Sequence, residues 1–473
     1  MNIKKKPPMV IYLACTIAAL AGLLFGFDTG IISGALLFIQ KDFVLTDAMK
    51  ELIVSSVLFG AMLGSVCSGH LTDSLGRRRV MLIISGLFIF GTLIAAFASS
   101  VTFIMLGRFF IGIAIGIGSY TAPLYIAEIV PFELRGGLVS LNQLAITLGI
   151  MGSFFINYIF SGSEDAWRWM FAIGICPAVL LSIGMFFLPE SPRWLVKERK
   201  IAEAKSTLQY LRGNADVTHE VTEIEQSMQN RQAKFKEIFS AWVRPVLFLG
   251  MMLGCLQQIS GINTIIYYAP SIFQLAGFHD SSSTILATLG IGIVNVLATI
   301  FAIYYLDKVG RRPLLLSGLI GMCVSLFALS FTFHLNSPAQ TMRLLAMACT
   351  FIYIICFAIS LGAMLWLLVA EIFPLEVRGA AMSVAVFSCW FWNFVVSSTF
   401  LTVLHWLGPV DTFLMFGLFC VGGFIFCYYK VPDTTGVSLE QIEKNIRQGL
   451  PLRYIGQPPA KTARASTTLE TAG

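Results

Sequence analysis

The sequence predicts an all-α integral membrane protein: twelve transmembrane helices in two six-helix bundles, joined by a polar linker. Three observations carry this. The chain of 473 residues is 56% hydrophobic and only 12% charged, with a mean hydropathy of +0.79, whereas a soluble chain carries about twice that charge. About twelve apolar stretches, each long enough for a helix of ~20 residues to cross a bilayer, fall six on either side of the linker. Charged motifs written in the first half return in the same order in the second. Strands are excluded as the spanning element, because a run of this length must satisfy its own backbone hydrogen bonds within one segment.

The spans are expected over 11–39, 52–72, 80–99, 103–128, 137–160 and 168–188, then 244–274, 283–306, 313–335, 342–372, 379–404 and 411–430. The domain boundaries follow: an N-terminal bundle over 1–189, a cytoplasmic linker with short amphipathic helices over 190–243, a C-terminal bundle over 244–430 and a cytoplasmic tail over 431–473 with a disordered end. In the tail, Ser438 followed by Glu440 and Gln441 reads as a capped helix start. Lys4-Lys5-Lys6 resembles the start of a secretion signal. The apolar run behind it is too long and has no small-residue exit, so it is read as the first span.

Lys and Arg set the orientation. With both termini inside, only Lys41, Lys50, Arg168 and Arg343 lie outside and Arg108 lies within a span; all other basic residues are cytoplasmic. The net charge of +6 is therefore a topology signal and does not point to nucleic acid. The ten cysteines show no CxxC and no metal-ligand spacing, so no metal site is expected and they read as small core residues.

The repeated motif is Asp73-Ser74-Leu75-Gly76-Arg77-Arg78, which returns as Asp307-Lys308-Val309-Gly310-Arg311-Arg312. Glu128 to Arg135-Gly136 returns as Glu371 to Arg378-Gly379, and Pro189-Glu190-Ser191-Pro192 is echoed by Pro432-Asp433-Thr434-Thr435. This is duplication of half a protein, as in transporters built from parallel repeats. The charges at these helix ends serve orientation, or form interhelical ion pairs that close the cytoplasmic face. Arg193 joins the same group.

Asp28 stands as the one acid deep in a span, and Arg108 lies at a similar depth in the fourth. Either they form a static pair, or Asp28 carries a proton and is charged only while Arg108 is near. The seventh span concentrates Gln257, Gln258, Ser260, Asn263, Tyr267 and Tyr268, with Gly261 and Pro270 as points of weakness. Gln143, Asn295 and Trp366 are further polar or amphipathic residues inside spans. Such side chains suit a neutral, hydroxyl-rich ligand or hydrogen bonds between helices. Gly112, Gly116 and Gly118 are assigned to close helix packing.

With these motifs in place, the chain resembles a sugar porter of the major facilitator superfamily over about residues 10–445. Gly69 to Arg78 is similar to that family's G-x-x-x-D-x-x-G-R-R signature. Pro189-Glu190-Ser191-Pro192-Arg193-Trp194-Leu195 matches its PESPRWL motif, and Gln257-Gln258 with Gly261-Ile262-Asn263 its QQ-x-x-G-x-N stretch. The resemblance implies the major facilitator fold and a central sugar site lined by Gln143, Gln257, Gln258, Asn263, Asn295 and Trp366. Phe25, Tyr267 and Trp390 are counted with it. It also places Asp28 and Arg108 at the proton-coupling positions of the bacterial symporters. Four departures stand out. Cys389 replaces an Asn or Gln that usually faces the sugar, Ile150 replaces a second Gln, Gly362-Ala363 replaces Gly-Pro, and Pro432-Asp433-Thr434-Thr435-Gly436 replaces PETKG.

The expectation is proton-coupled uptake of a neutral monosaccharide, pentose or hexose, across a bacterial inner membrane by alternating access. The proton gradient drives it without a cofactor, and a monomer suffices. A facilitator without coupling and a sugar sensor on a transporter scaffold are the alternatives. An enzyme is not expected, since no span gathers a nucleophile, a base and oxyanion donors.

Overall fold

A computed structural model describes residues 8–131, 134–213, 216–229, 235–278, 280–335, 339–374 and 376–457. The expected disorder at the chain's end, beyond residue 457, lies outside the described residues. The first six spans are α1 (Met9–Asp42), α2 (Asp47–Leu75), α3 (Arg77–Ala96), α4 (Val101–Ile129), α5 (Arg135–Phe160) and the pair α6 (Ala166–Ala172) and α7 (Ile175–Phe187). The linker folds as α8 (Pro192–Lys197), α9 (Ile201–Arg212) and α10 (Thr218–Gln229). The second half begins with α11 (Arg244–Ile259), α12 (Ile262–Tyr267), α13 (Ala269–Leu275), α14 (Ser281–Val309), α15 (Arg311–His334) and α16 (Ala339–Phe357). It continues through α17 (Ala363–Ile372), α18 (Arg378–Ser397), α19 (Phe400–Lys430) and a tail helix, α20 (Leu439–Arg447), which Ser438 caps at the Gln441 N–H. Among the described residues, twelve helices are long and apolar enough to cross a membrane.

The chain gathers into two compact units. The first holds residues 1–231, 266–270 and 280–292, and the second holds 232–265, 271–279 and 293–473. In the first, α2 lies along α4 and α1 along α5 as the most extensive helix pairs. Lipid gives packed helices no hydrophobic drive to associate, so small residues that let backbones touch decide where they meet. On α1, Gly22, Gly26, Gly30 and Gly34 recur every four residues and all face α5; a Cβ at Gly26 would sit 1.8 Å from the Ile146 carbonyl oxygen. Between α2 and α4 the arrangement is reciprocal. Gly112 and Gly116 face Val57 and Ala61, while Gly60 and Gly64 face Phe109 and Ile113. Gly118, expected on the same face, instead turns toward Ile84 of α3.

The linker helices pack around Trp194, Leu195, Val196, Ala204, Leu208, Val217, Val221 and Ile224, a small core of their own. Arg212 ties α9 to Glu220 of α10 through two hydrogen bonds, and also donates to the Ile129 carbonyl at the end of α4.

In the second unit the backbone over the eleventh and twelfth spans breaks twice, after Ser397 and at Gly408. Helix α18 stops at Ser397, and the residues after Thr399 already belong to α19. The Ser398 and Thr399 hydroxyls both donate to the Val395 carbonyl, serving a group that the end of the helix leaves without an amide partner. Within α19, Gly408 takes φ 76° ahead of Pro409, a kink that separates two helices and falls in the gap between the expected spans 379–404 and 411–430. The seventh span breaks at Gly261, which takes φ 91°. In the tenth, the turn Ala358–Gly362 is a π-helix between α16 and α17. Turns of this kind recur at functional sites, and here the Leu361 carbonyl accepts the Gln257 amide.

If backbone contact holds α2 to α4, Gly116→Ala lowers thermal stability in detergent by about 1–3 kcal/mol, because its Cβ would lie 2.2 Å from the Ala61 carbonyl oxygen. Gly152→Ala, where nothing lies within 4 Å of the added carbon, serves as the control and leaves the melting temperature in place.

Candidate functional site

Asp28 reaches its position because α1 turns about 100° per residue: Gly26 and Gly30 face α5, and Asp28 between them faces α4. Both Nη atoms of Arg108 lie 3.3 Å from the two Asp28 carboxylate oxygens. The Arg108 Nε donates to the Ile53 carbonyl of α2 at 2.9 Å, so one guanidinium ties three helices. The Arg108 side chain is 0% exposed and that of Asp28 3%. Removing one partner of such a pair strands a buried charge.

In the second unit the amides form a directed chain. Asn263 Nδ2 donates to Gln258 Oε1 at 2.7 Å, and Gln258 Nε2 donates to Gln257 Oε1 at 3.1 Å. Gln257 Nε2 then donates to the Leu361 carbonyl of the π turn at 3.0 Å. Cys389 stands inside this chain, its Sγ 3.0 Å from Gln258 Nε2 and 3.4 Å from Gln257 Oε1. The thiol thus occupies the polar position that the sequence leaves to it. Tyr353 Oη donates to the Ser260 carbonyl at 2.9 Å and holds the broken end of α11. Gln143 and Trp366 are half-buried and Asn295 is buried, and these three hold no side-chain hydrogen bond among the described residues. Trp390 and Tyr267 are buried, and Phe25 is half-buried.

At the charged end of the first unit, Arg77 meets Glu128 through Nε and Nη2 at 2.8 and 2.9 Å. Its Nη1 reaches Asp73 at 3.3 Å, and Asp73 also meets Lys197 at 2.9 Å. The Ser191 hydroxyl donates to Glu128. Glu190 accepts the backbone N–H groups of Arg77, Arg78 and Ser191, closing the N-terminus of α3 with a carboxylate. Burial holds the Glu190 carboxyl above its ordinary value, although those three N–H groups pull it down. Gly76 is required here twice over: it takes φ 91°, and a Cβ would meet Glu190.

The second unit repeats the plan more loosely. Gly310 takes φ 97°, Arg311 meets Glu371 through a 3.2 Å contact, and the Thr434 hydroxyl donates to Glu371. The Arg311 N–H finds the neutral Thr435 Oγ1 at 3.3 Å, where its twin finds a carboxylate. Other arginines expected in ion pairs serve helix ends instead. Arg78 donates to the carbonyls of Met185 and Phe186, Arg312 to Tyr428 and Arg378 to Phe373. The reason is physical: the last carbonyls of a helix have no amide partner, and a planar guanidinium reaches them without giving up its charge to water. Arg193 is half-buried and forms no ion pair among the described residues. The side chains of Arg135 and Asp307 lie outside the described residues.

Residues 14–446 match the family model described as "Sugar (and other) transporter". The chain belongs to the sugar porter family of the major facilitator superfamily. This sugar porter is 41% identical to the galactose-proton symporter of Escherichia coli over 94% of its own length and 96% of that chain. It is 38% identical to the arabinose-proton symporter of the same species, over 93% of its length and 94% of that chain. The solved inward-open structure of the E. coli xylose transporter aligns with a TM-score of 0.80 at 32% identity, covering 92% of this chain and 99% of that one. The sugar porter is accordingly a multi-pass plasma-membrane protein of a transporter family, and sugar transport is its class of work.

One acid escaped the sequence reading. Glu51 was set outside the second span, whose start was placed at 52. Helix α2 begins at Asp47, so Glu51 lies inside it and is 4% exposed. Thr46 before Asp47 was the available signal: it is a capping residue, and it accepts the Met49 N–H.

The two charge clusters predict unequal mutants. Glu128→Gln strands a buried arginine and costs about 3 kcal/mol; Glu371→Gln, which meets Arg311 at 3.2 Å and accepts the Thr434 hydroxyl, costs about 1 kcal/mol. Thermal unfolding in detergent measures both, and equal losses would show that the clusters are equivalent.

Proposed function

We propose that this sugar porter couples inward proton movement to uptake of a neutral monosaccharide. The observation that carries the reading is the buried Asp28–Arg108 pair. The carboxylate's charge is matched by the guanidinium beside it; protonation removes the attraction and leaves Arg108 held by the Ile53 carbonyl and the Phe171 ring. Two protonation states that hold α1 and α4 differently are what a coupled transporter needs to bias one conformational equilibrium. The proton-symporter relatives of similar length support the same reading. The driving force is the proton gradient, with no cofactor, and one chain is the working unit.

The sugar is assigned to the amide chain and the residues counted with it. Asn263 retains its Oδ1 and one N–H for a ligand, and its bond to Gln258 fixes which way it faces. A hydroxyl-rich ligand needs groups that both donate and accept, which is the chemistry of amides. Gln143, Asn295 and Trp366 are proposed to complete the site, with Phe25, Tyr267 and Trp390 as its aromatic lining. Cys389 supplies a weaker donor than an amide, so recognition here leans on Gln257, Gln258 and Asn263.

Two measurements test the two parts. Asp28→Asn is expected to abolish accumulation of sugar against its gradient while leaving counterflow intact; accumulation by that variant would sink the coupling assignment. Gln258→Ala weakens sugar binding about tenfold, since it removes a hydrogen-bonding group worth roughly 1.5 kcal/mol. Unchanged affinity in titration calorimetry would move the site elsewhere.

A further inference from the structure

Two arginines meet at the end of the twelfth span. Arg312 stands in the first turn of α15, and Arg453 in the 3-10 turn Leu452–Tyr454 of the tail. Their guanidinium carbons lie 5.5 and 5.2 Å from the centroid of one ring, that of Tyr428. The two cations are therefore no farther apart than the sum of those distances. Arg312 is anchored there, because its Nη2 donates to the Tyr428 carbonyl at 2.7 Å. The tail turn is anchored as well: Asn445 of α20 donates to the carbonyls of Ile455 and Gln457 at 2.8 and 3.0 Å.

Like charges this close repel unless an anion joins them, and the chain does not supply one. Neighbouring arginines are paired: Arg311 meets Glu371 and Arg447 meets Glu376. Arg312 and Arg453 are half-buried and form no ion pair among the described residues. Asp433 turns its Oδ1 to the Thr435 N–H and hydroxyl instead. The first unit has no such arrangement. There Arg78 lies 6.0 Å from the Phe186 ring, and among the described residues no second cation joins it.

The surroundings indicate which anion fits. Leu414, Leu418 and Ile425 are exposed and recur on one face of α19. This apolar stripe ends in Tyr428 and Tyr429, which are 42% and 61% exposed, and then in the exposed Lys430. Exposed tyrosines at the end of a span mark the level of the lipid headgroups. The asymmetry of Lys and Arg assigns this end to the cytoplasmic leaflet. A free phosphate would satisfy the arginines but leave the stripe bare, whereas a phospholipid covers both. Guanidinium suits the contact, since its planar fork can bond two phosphate oxygens at once. A zwitterionic headgroup would bring an ammonium of its own to a site that is already cationic.

We propose that Arg312, Arg453 and Tyr428 hold the headgroup phosphate of an anionic phospholipid of the phosphatidylglycerol type, its acyl chains lying along α19. The lipid bridges the start of α15, the end of α19 and the tail turn, and so docks the tail beside the charge cluster of the second unit. The proposal does not depend on the symport reading.

The test adds short-chain phosphatidylglycerol to the full chain in detergent and follows its melting temperature. The wild type is expected to be stabilised as this lipid rises, and not by phosphatidylcholine of the same chain length or by inorganic phosphate. Arg453→Gln raises the half-maximal lipid concentration about fivefold, the share of one basic residue beside an anionic surface. Lys205→Gln, which removes an exposed charge from α9, responds as the wild type does. Equal stabilisation by phosphatidylcholine or by inorganic phosphate overturns the proposal. So does a wild-type response from Arg453→Gln, or an equal loss from Lys205→Gln, which would mark attraction by net charge alone. Should Arg453→Gln fail to fold, the wild type is titrated in about 1 M salt, where the screening length falls to ~3 Å. The stabilisation is then expected to vanish, and its survival overturns the proposal.

Discussion

Inside hydrocarbon a polar group that lacks a protein partner has none at all. This constraint sorts the polar residues of the spans into small closed sets, each bridging different helices. Arg108 is divided between the Asp28 carboxylate and the Ile53 carbonyl, and so connects α4 to α1 and α2. The amide chain passes from α12 to α11 and ends on the π turn beyond α16. The glycine ridge of α1 matters to the ion pair as well as to the packing. Its four glycines bring α1 against α5, and the helical twist turns Asp28 to Arg108 of α4.

Duplication gave both halves the same latch, and the halves now use it differently. In each, a glycine with positive φ opens a helix whose first arginine meets an acid at the end of another. In the first unit the exposed amides of α3 also close on Glu190, and a carboxylate at a helix N-terminus interacts favourably with the dipole. In the second, Thr435 offers a neutral oxygen at a longer distance. The N-terminus of α3 is thus closed by a carboxylate in the unit that holds the ion pair, and that of α15 by a hydroxyl in the unit that holds the amide chain.

Hydropathy alone revealed the number of spans, because a bilayer imposes a length that few other constraints erase. It located ends poorly where polar residues sit within helices. Glu51 fell just outside the span expected to start at 52, yet it is buried within α2. The motif residues were legible as a set, but not their partners: Arg77 and Arg78 are adjacent in sequence and equal in charge. Arg77 faces an acid while Arg78 faces a row of carbonyls. Only the direction in which each side chain leaves α3 separates them, and direction is a property of the fold. Cys389 was noticed through what it replaces, but its contacts with both glutamines follow from the approach of α18 to α11.

Whether the Asp28–Arg108 pair is a staple or a switch turns on how firmly it is made. Strong charge-assisted bonds run at about 2.7–2.9 Å, and both bonds here are 3.3 Å. A pair held at the longer distance gives up less when it is neutralised, and Arg108 keeps a 2.9 Å bond to Ile53 whichever state Asp28 adopts. The guanidinium is thus anchored from one side and held loosely from the other. A tenfold change in occupancy between two conformations needs only about 1.4 kcal/mol, and a pKa difference of one unit supplies about that much. A tightly made pair would need far more to release. The long contact is therefore better suited to a group that exchanges a proton in each cycle than to one that only holds helices together.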